Sequence, residues 1–335
     1  MLLFVWILLI LLGFIVKNSK IITFIQLTFA ILMMTFDTGN PDQLEYINNF
    51  LTIRSDPSSI WDGNPLFNLL NYIFSIFGQY NIALFLILIL SFYFLYKGIS
   101  FYTQNTSFVF SLYLISPFVI DGTQIKNFVA MCIWIYFSQY LYKATVKNSF
   151  DKNAWIYLLG VFIVTLIHFS FMFTAIYVFI IFLDVTNFRS IVLSFVSIIF
   201  VVFLFSRFTG LMQLLGDSGI GSFQTALEKI NDYSVNYNTG SANARLRVTI
   251  IFYFVLFFIF MCLHSNVKRS QIDWVHNYYL FIIKLTIVSL PLIYIMNYSM
   301  EIYRMQRNML VMFYVLFALL FEKNKFVPTK TLSLL

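Results

Sequence analysis

The amino-acid sequence predicts an all-α, polytopic integral membrane protein with about eleven transmembrane helices. The first observation is composition, because hydrophobic residues make up 60% of the 335 positions and charged residues only 10%, far from the balance of a soluble domain. The second is that apolar runs suited to membrane helices recur along the chain between short polar segments. The third is that lysines fall on alternate polar segments, as expected when they fix orientation. We therefore expect one membrane domain over residues 1–335.

Two apolar runs open the chain. Met1–Val16 lacks a basic leading segment and a small-residue cleavage site, so it is predicted to be a retained first span instead of a signal peptide. Ile21–Phe36 is the second predicted span. Further single spans are predicted over Ile82–Tyr96, Phe108–Ile120, Phe128–Tyr142, Ile191–Phe205, Val248–Leu263, Tyr278–Met296 and Met309–Phe321.

The run Ala154–Leu183 is uncharged and carries one histidine, His168, at its middle. It is longer than the 20 or so residues that one transmembrane helix needs, so it predicts either one strongly tilted helix or two short helices. We favour a hairpin that turns near His168–Ser170. The hairpin would place an imidazole and a hydroxyl at a membrane face, whereas a straight helix would leave His168 near the bilayer centre.

The lysines predict which loops are cytoplasmic. The basic turn at 17–20 lies inside by the positive-inside rule, which puts the N-terminus outside and the C-terminus inside. An external acidic segment over 37–80 follows, with short interfacial helices predicted at Asp42–Ile53 and Pro65–Phe77. A second external segment, the loop over 207–247, is longer than a plain connection requires and therefore indicates function.

This orientation gathers polar side chains of several kinds at the outer face. Ionisable groups at membrane depth are costly and usually functional, which makes His168 a candidate. Arginine's planar fork matches phosphate oxygens, so several external cations suit a lipid diphosphate better than a neutral solute. The candidate catalytic residues are His168, Asp42 and Glu45. The candidate diphosphate-binding residues are Arg245, Arg247, Arg304, Arg307 and Lys126.

Each of these candidates also has an explanation that needs no substrate. The acidic segment could be a solvated loop that helps to set topology. Arg245 and Arg247 precede a span and could anchor to lipid head groups, and Lys126 could extend to the interface in the same way. The hydroxyl of Ser170 could satisfy His168.

Other kinds of site find no support in the sequence. There is no Walker A sequence, no dinucleotide fingerprint, no EF-hand loop and no dense basic arm for nucleic acid. Cys132 and Cys262 both lie in apolar runs, where a thiol behaves as a small hydrophobe. His264 and His276 flank a loop with no third ligand nearby. We expect neither a cofactor nor a metal, and the net charge of +7 follows first from the orienting lysines.

Short motifs along the chain resemble those of the EpsG/Wzy-type polysaccharide polymerases. Asp42–Tyr46 (Asp-Gln-Leu-Glu-Tyr) is similar to the family's external Asp-x-x-x-Tyr, and Asn64–Leu70 follows where relatives often have an acid-led version. Gln124–Ala130 resembles the Arg-Gln-x-x-Ala segment that opens a span, with Lys126 where arginine is usual. His168–Ser170 matches the family's His-x-Ser, and Arg304–Arg307 matches a late arginine. The resemblance covers nearly the whole chain.

The resemblance implies a GT-C-like membrane glycosyltransferase that joins oligosaccharide repeat units carried on undecaprenyl diphosphate, on the outer side of the bacterial cytoplasmic membrane. Its implied partners are the lipid-linked oligosaccharide, the lipid bilayer and a chain-length regulator protein. An acceptor hydroxyl would attack the donor's anomeric carbon, a general base would activate it, and cations would stabilise the departing diphosphate. His168 is the candidate base, with Asp42 and then Glu45 as competitors.

Three other functions stay open from the sequence. An O-antigen ligase shares the mechanism and differs mainly in its acceptor. A flippase or transporter would need polar groups along a path through the membrane, and apart from Lys284 the predicted spans offer few. A membrane O-acyltransferase could use a histidine and arginines, but its donor chemistry usually starts from the cytoplasmic side.

Overall fold

A computed structural model describes residues 2–37, 39–184, 273–289 and 307–320 of the chain. Every regular element in these ranges is helical, which confirms the all-α prediction for this part of the protein. The α-helices are α1 (Leu2–Ile15), α2 (Lys20–Phe36), α3 (Gln43–Ser55), α4 (Pro65–Phe74), α5 (Tyr80–Tyr102), α6 (Thr106–Ile115), α7 (Phe118–Thr123), α8 (Ile125–Lys147), α9 (Lys152–Thr165), α10 (Asp273–Ser289) and α11 (Leu310–Leu320). The 3₁₀-helices are Pro57–Trp61, Ser75–Phe77 and Phe169–Ile181.

Both short helices predicted in the acidic segment are present. The prediction at Asp42–Ile53 corresponds to α3, which begins one residue later, and the prediction at Pro65–Phe77 corresponds to α4 and the 3₁₀ turn after it. Pro65 occupies the first helical position of α4, where the missing N–H costs nothing. Local apolar periodicity was therefore sufficient to predict both elements.

The predicted span Phe108–Ile120 is wrong as a single helix. The structure ends α6 at Ile115 and starts α7 at Phe118, because Pro117 lacks an N–H and disfavours helical backbone at the residue before it. Ser116 accordingly has extended backbone angles. The break turns the chain just before Asp121, whose side chain is fully buried.

The predicted hairpin around His168 is confirmed. Helix α9 ends at Thr165, and the 3₁₀ helix that begins at Phe169 runs back along it. The Tyr157 hydroxyl donates a hydrogen bond of 2.8 Å to the carbonyl of Thr174. Nearer the open end of the hairpin, the rings of Phe150 and Phe182 stack with centroids 6.4 Å apart.

Buried polar side chains join the first helices of the bundle. Gln26 on α2 donates through Nε2 to the carbonyl of Leu9 at 3.1 Å and to the hydroxyl of Ser111 at 2.9 Å. On α1, Gly13 lies so close to this group that a Cβ there would clash with the Ser111 hydroxyl. These contacts fix α1, α2 and α6 against one another. Most of the remaining surface of α1 is apolar and exposed, as a lipid-facing helix would be.

The two ends of α8 define the two ends of the bundle, which we call the Lys126 end and the Lys147 end. Because α8 and α9 are antiparallel, the turn at His168 lies at the Lys126 end. Helix α11 starts at this end, since Asn308 contacts Asn127 on α8. At the Lys147 end, α11 finishes with the Ala318 carbonyl bonded to Asn105.

Membrane-crossing capacity can be assessed only for the described ranges. There, α5 is the one helix that is both long and apolar enough to cross a membrane, while the other apolar helices have 10–17 residues. The predicted spans Ile191–Phe205 and Val248–Leu263, the loop over 207–247 and the end of Tyr278–Met296 lie outside the described residues. The count of about eleven spans stays a prediction.

The bundle ends and the lysine pattern together predict the membrane side of each loop. A periplasm-active phosphatase fused after Asn64 should be active, whereas the same reporter fused after Lys147 should be inactive because the Lys147 end is expected inside. Fluorescent-protein fusions at the same positions should give the reverse result. A cytoplasmic signal after Asn64 would contradict the proposed outer location of the Lys126 end.

Candidate active site

Lys126 begins the site, in the first turn of α8. Its ammonium nitrogen lies 5.4 Å from the ring centroid of Tyr46 on α3 and 5.8 Å from that of Phe67 on α4. The two rings are themselves buried, with exposed fractions of 7% and 2%. A cation held over partly desolvated rings gains about 0.5–2 kcal/mol. Lys126 is therefore held by α3 and α4 in a defined place.

His168 lies in the turn of the hairpin and is half-buried. Its Nδ1 is 2.8 Å from the hydroxyl of Ser170, so the partner expected from the sequence is present. This bond decides what the other ring nitrogen can do. If Nδ1–H donates to Ser170, Nε2 can accept a proton, whereas if Nδ1 accepts, Nε2 carries the hydrogen and can only donate.

The hairpin turn and the lysine are connected through the first turn of α4. The backbone N–H of Leu66 donates a hydrogen bond of 3.0 Å to the carbonyl of Leu166, two residues before His168. The next residue on α4 is Phe67, one of the two rings beneath Lys126. The Leu66 backbone thus contacts the chain two residues before His168, and the adjacent Phe67 ring lies beneath Lys126. The His168 turn and Lys126 therefore belong to the same end of the described bundle.

The acidic candidates border this arrangement. Asp42 immediately precedes α3 and Glu45 lies in its first turn, and both side chains are exposed. Three positions apart, they share a face of the helix start. Tyr46 follows directly and carries the ring beside Lys126. The carboxylates are thus solvated and lie on the same helix start as Tyr46, without burial that would hold them in one geometry.

Arg307 does not have the exposed position expected for it. Its exposed fraction is 6%, and its Nη2 lies 3.2 Å from Asp121 Oδ1 and donates to Gln124 Oε1 at 2.9 Å. The planar fork therefore faces into the protein, because a buried carboxylate on α7 attracts it there. The guanidinium is thus not exposed as expected for a direct contact to a diphosphate, and its buried position gives it a partner within the protein.

Asp121 is the buried partner that the sequence analysis missed. Burial raises the pKa of its carboxyl to about 6, an effect that the Arg307 guanidinium opposes. The Tyr113 hydroxyl lies beside the same carboxyl. The available signal was an acid at the end of an apolar run, shortly before Lys126, together with a late arginine that needed a partner.

The remaining expected cations lie outside the described residues. Arg245, Arg247 and Arg304 fall there, so their convergence with Lys126 stays a prediction. In the ranges that the structure does describe, no group of three or more histidine, cysteine or acidic side chains is arranged to hold a metal ion. What the described site offers is a fixed cation, an imidazole and nearby carboxylates, which together suit anion binding and proton transfer.

The described helices form an apolar bundle, and Lys126, Asp42 and the His168 turn lie at one end of it. The chain belongs to the EpsG family, whose model matches residues 18–334. Membership indicates a membrane protein of polysaccharide biosynthesis. No curated protein and no solved structure matches the chain.

Proposed function

We propose that this protein is a glycosyltransferase that polymerises undecaprenyl-diphosphate-linked oligosaccharide repeat units into a surface polysaccharide. The reaction would take place on the outer side of the bacterial cytoplasmic membrane. The observation that supports it most is that Lys126 and the His168 turn both contact the first turn of α4. The chain that carries them belongs to the EpsG family. In this proposal, the two would give one membrane face both a cation and a proton acceptor.

The donor determines which groups such a site needs. No nucleotide sugar is available outside the cell, so the donor must carry its own leaving group, and a lipid diphosphate does so. Charge grows on the diphosphate as its bond to the anomeric carbon breaks, and preorganised cations stabilise that charge. We assign this role to Lys126 with Arg245, Arg247 and Arg304. Arg307, whose guanidinium is buried, would act from beneath the site through Asp121 and Gln124.

The acceptor requires a base. Its hydroxyl oxygen forms the new bond to the anomeric carbon, the bond from that carbon to the diphosphate oxygen breaks, and the hydroxyl proton passes to the base. His168 fits because its ordinary pKa is about 6.5, provided that Nδ1–H donates to Ser170 and leaves Nε2 to accept. Asp42 is the competitor, with Glu45 beside it. A solvated carboxylate is ordinarily a weaker base than an imidazole.

An O-antigen ligase would use the same donor chemistry with a different final acceptor, so the product distinguishes the two. Deletion of the gene should leave one repeat unit per lipid carrier or core, which gel and mass analysis of the surface glycan would reveal. Loss of all glycan from the final acceptor would instead identify a ligase. Normal chain length in the deletion strain would contradict both functions.

The base assignment predicts an order of defects among site variants. His168→Ala should lower polymerisation of purified lipid-linked repeat units by about 10²–10⁴-fold, the contribution typical of general base catalysis. Asp42→Asn and Glu45→Gln should have smaller effects, because these carboxylates are solvated. Asp62→Asn, which changes an exposed carboxylate of the same acidic segment, is the matched control.

The comparison requires equal membrane abundance of all variants. If His168→Ala keeps most of the activity while Asp42→Asn abolishes it, the carboxylate is the base and the histidine serves the hairpin turn. Loss in all four variants would mean that general charge in the acidic segment matters and that no single base has been identified, which contradicts the assignment.

A further inference from the structure

A buried ion pair lies directly behind the candidate site. Asp121 on α7 is fully buried, and Arg307, which precedes α11, is nearly so. Nη2 of the arginine is 3.2 Å from the carboxylate and 2.9 Å from Gln124 Oε1, the residue immediately before α8. One guanidinium nitrogen thus joins three segments of chain at the Lys126 end.

A second contact, one residue after Arg307 and three residues after Gln124, joins the same two segments. The side-chain amides of Asn127 and Asn308 donate to each other, with both nitrogen-to-oxygen distances 3.2 Å. Lys126 lies between Gln124 and Asn127, so polar contacts to the approach to α11 bracket it on both sides. The ammonium group at the tip of its side chain lies over the rings of Tyr46 on α3 and Phe67 on α4. The position of Lys126 therefore depends on how the approach to α11 packs against the start of α8.

Stability alone does not account for this pair. A buried ion pair is often no better for stability than apolar residues of similar volume, because both charges lose their hydration. Here the cost is larger still, since Arg307 Nε and both carboxylate oxygens of Asp121 are buried without a hydrogen bond. What the pair offers over apolar contacts is a defined partner, because Arg307 Nη2 lies against the Asp121 carboxylate and also donates to Gln124.

We propose that Asp121 is a positioning residue of the site. Its carboxylate holds Arg307, which through Gln124 fixes the first turn of α8 and so places Lys126 over Tyr46 and Phe67. As a role in catalysis this rests on the proposed function. The placement of Lys126 can be measured without any activity.

The test compares the reactivity of two lysines of α8 in the full chain in detergent micelles. Reductive methylation followed by mass spectrometry gives the labelling rate of each. Lys143 is the matched internal control, since its ammonium also lies over two rings, at 5.1 Å from Phe101 and 5.2 Å from Tyr140, but near the other end of the helix. In Asp121→Asn, labelling of Lys126 should rise at least threefold while that of Lys143 stays unchanged.

A second variant guards against simple misfolding. Asp121→Leu combined with Arg307→Met removes both charges together, so no unpaired buried charge remains and the fold should persist. It should show the same selective rise at Lys126. Unchanged labelling of Lys126 in both variants would overturn the proposal, and so would an equal rise at Lys143, which would mean that the pair holds the whole bundle instead of the site.

Polymerisation of lipid-linked repeat units is the second readout. Asp121→Asn should lower it at least tenfold, and full activity in a variant with altered Lys126 labelling would overturn the catalytic importance of this placement. An inactive wild-type protein would refute the proposed function itself. The labelling comparison would still decide whether Asp121 positions Lys126.

Discussion

The need to satisfy every backbone polar group inside the chain limits where this protein can do chemistry. An apolar surrounding offers no water to exposed N–H and C=O groups, so helices carry the chain and irregular backbone is confined to their ends. The described candidates follow this rule. Lys126 lies in the first turn of α8, His168 lies between two helices, and Asp42 precedes α3. Antiparallel packing of α8 and α9 then brings helix ends that are distant in sequence to one end of the bundle.

Local features were predictable from the sequence, while pairings between distant segments were not. The hairpin at His168 followed from the length of its apolar run, and α4 from its periodicity. Pro117 also predicts a helix break from the sequence alone. The apolar residues around it nevertheless led to the prediction of a single span. The pairing of Asp121 with Arg307 depends on how α11 packs beside α8, and no local pattern encodes that. Because of this packing, Arg307 is buried and not at the surface as expected.

Family membership and geometry contribute different parts of the functional account. The EpsG family indicates polysaccharide biosynthesis at a membrane but assigns no role to an individual side chain of this protein. The geometry separates two kinds of cation, one held over aromatic rings at the edge of the site and one buried against a carboxylate. Preorganised charge is effective in catalysis because it does not need to reorient during the reaction. A buried ion pair that fixes the position of a more exposed lysine would provide such a preorganised charge.

Cross-linking can show directly whether the acidic segment and the His168 hairpin form one face of the protein. Cysteines would replace Leu66 and Leu166 in a chain whose Cys132 and Cys262 are changed to alanine. A short bifunctional thiol reagent should join them, because the backbone N–H of Leu66 lies 3.0 Å from the carbonyl oxygen of Leu166. It should not join Leu66→Cys to Ser149→Cys, which lies at the Lys147 end. Absence of the first cross-link, or formation of the second, would contradict the account.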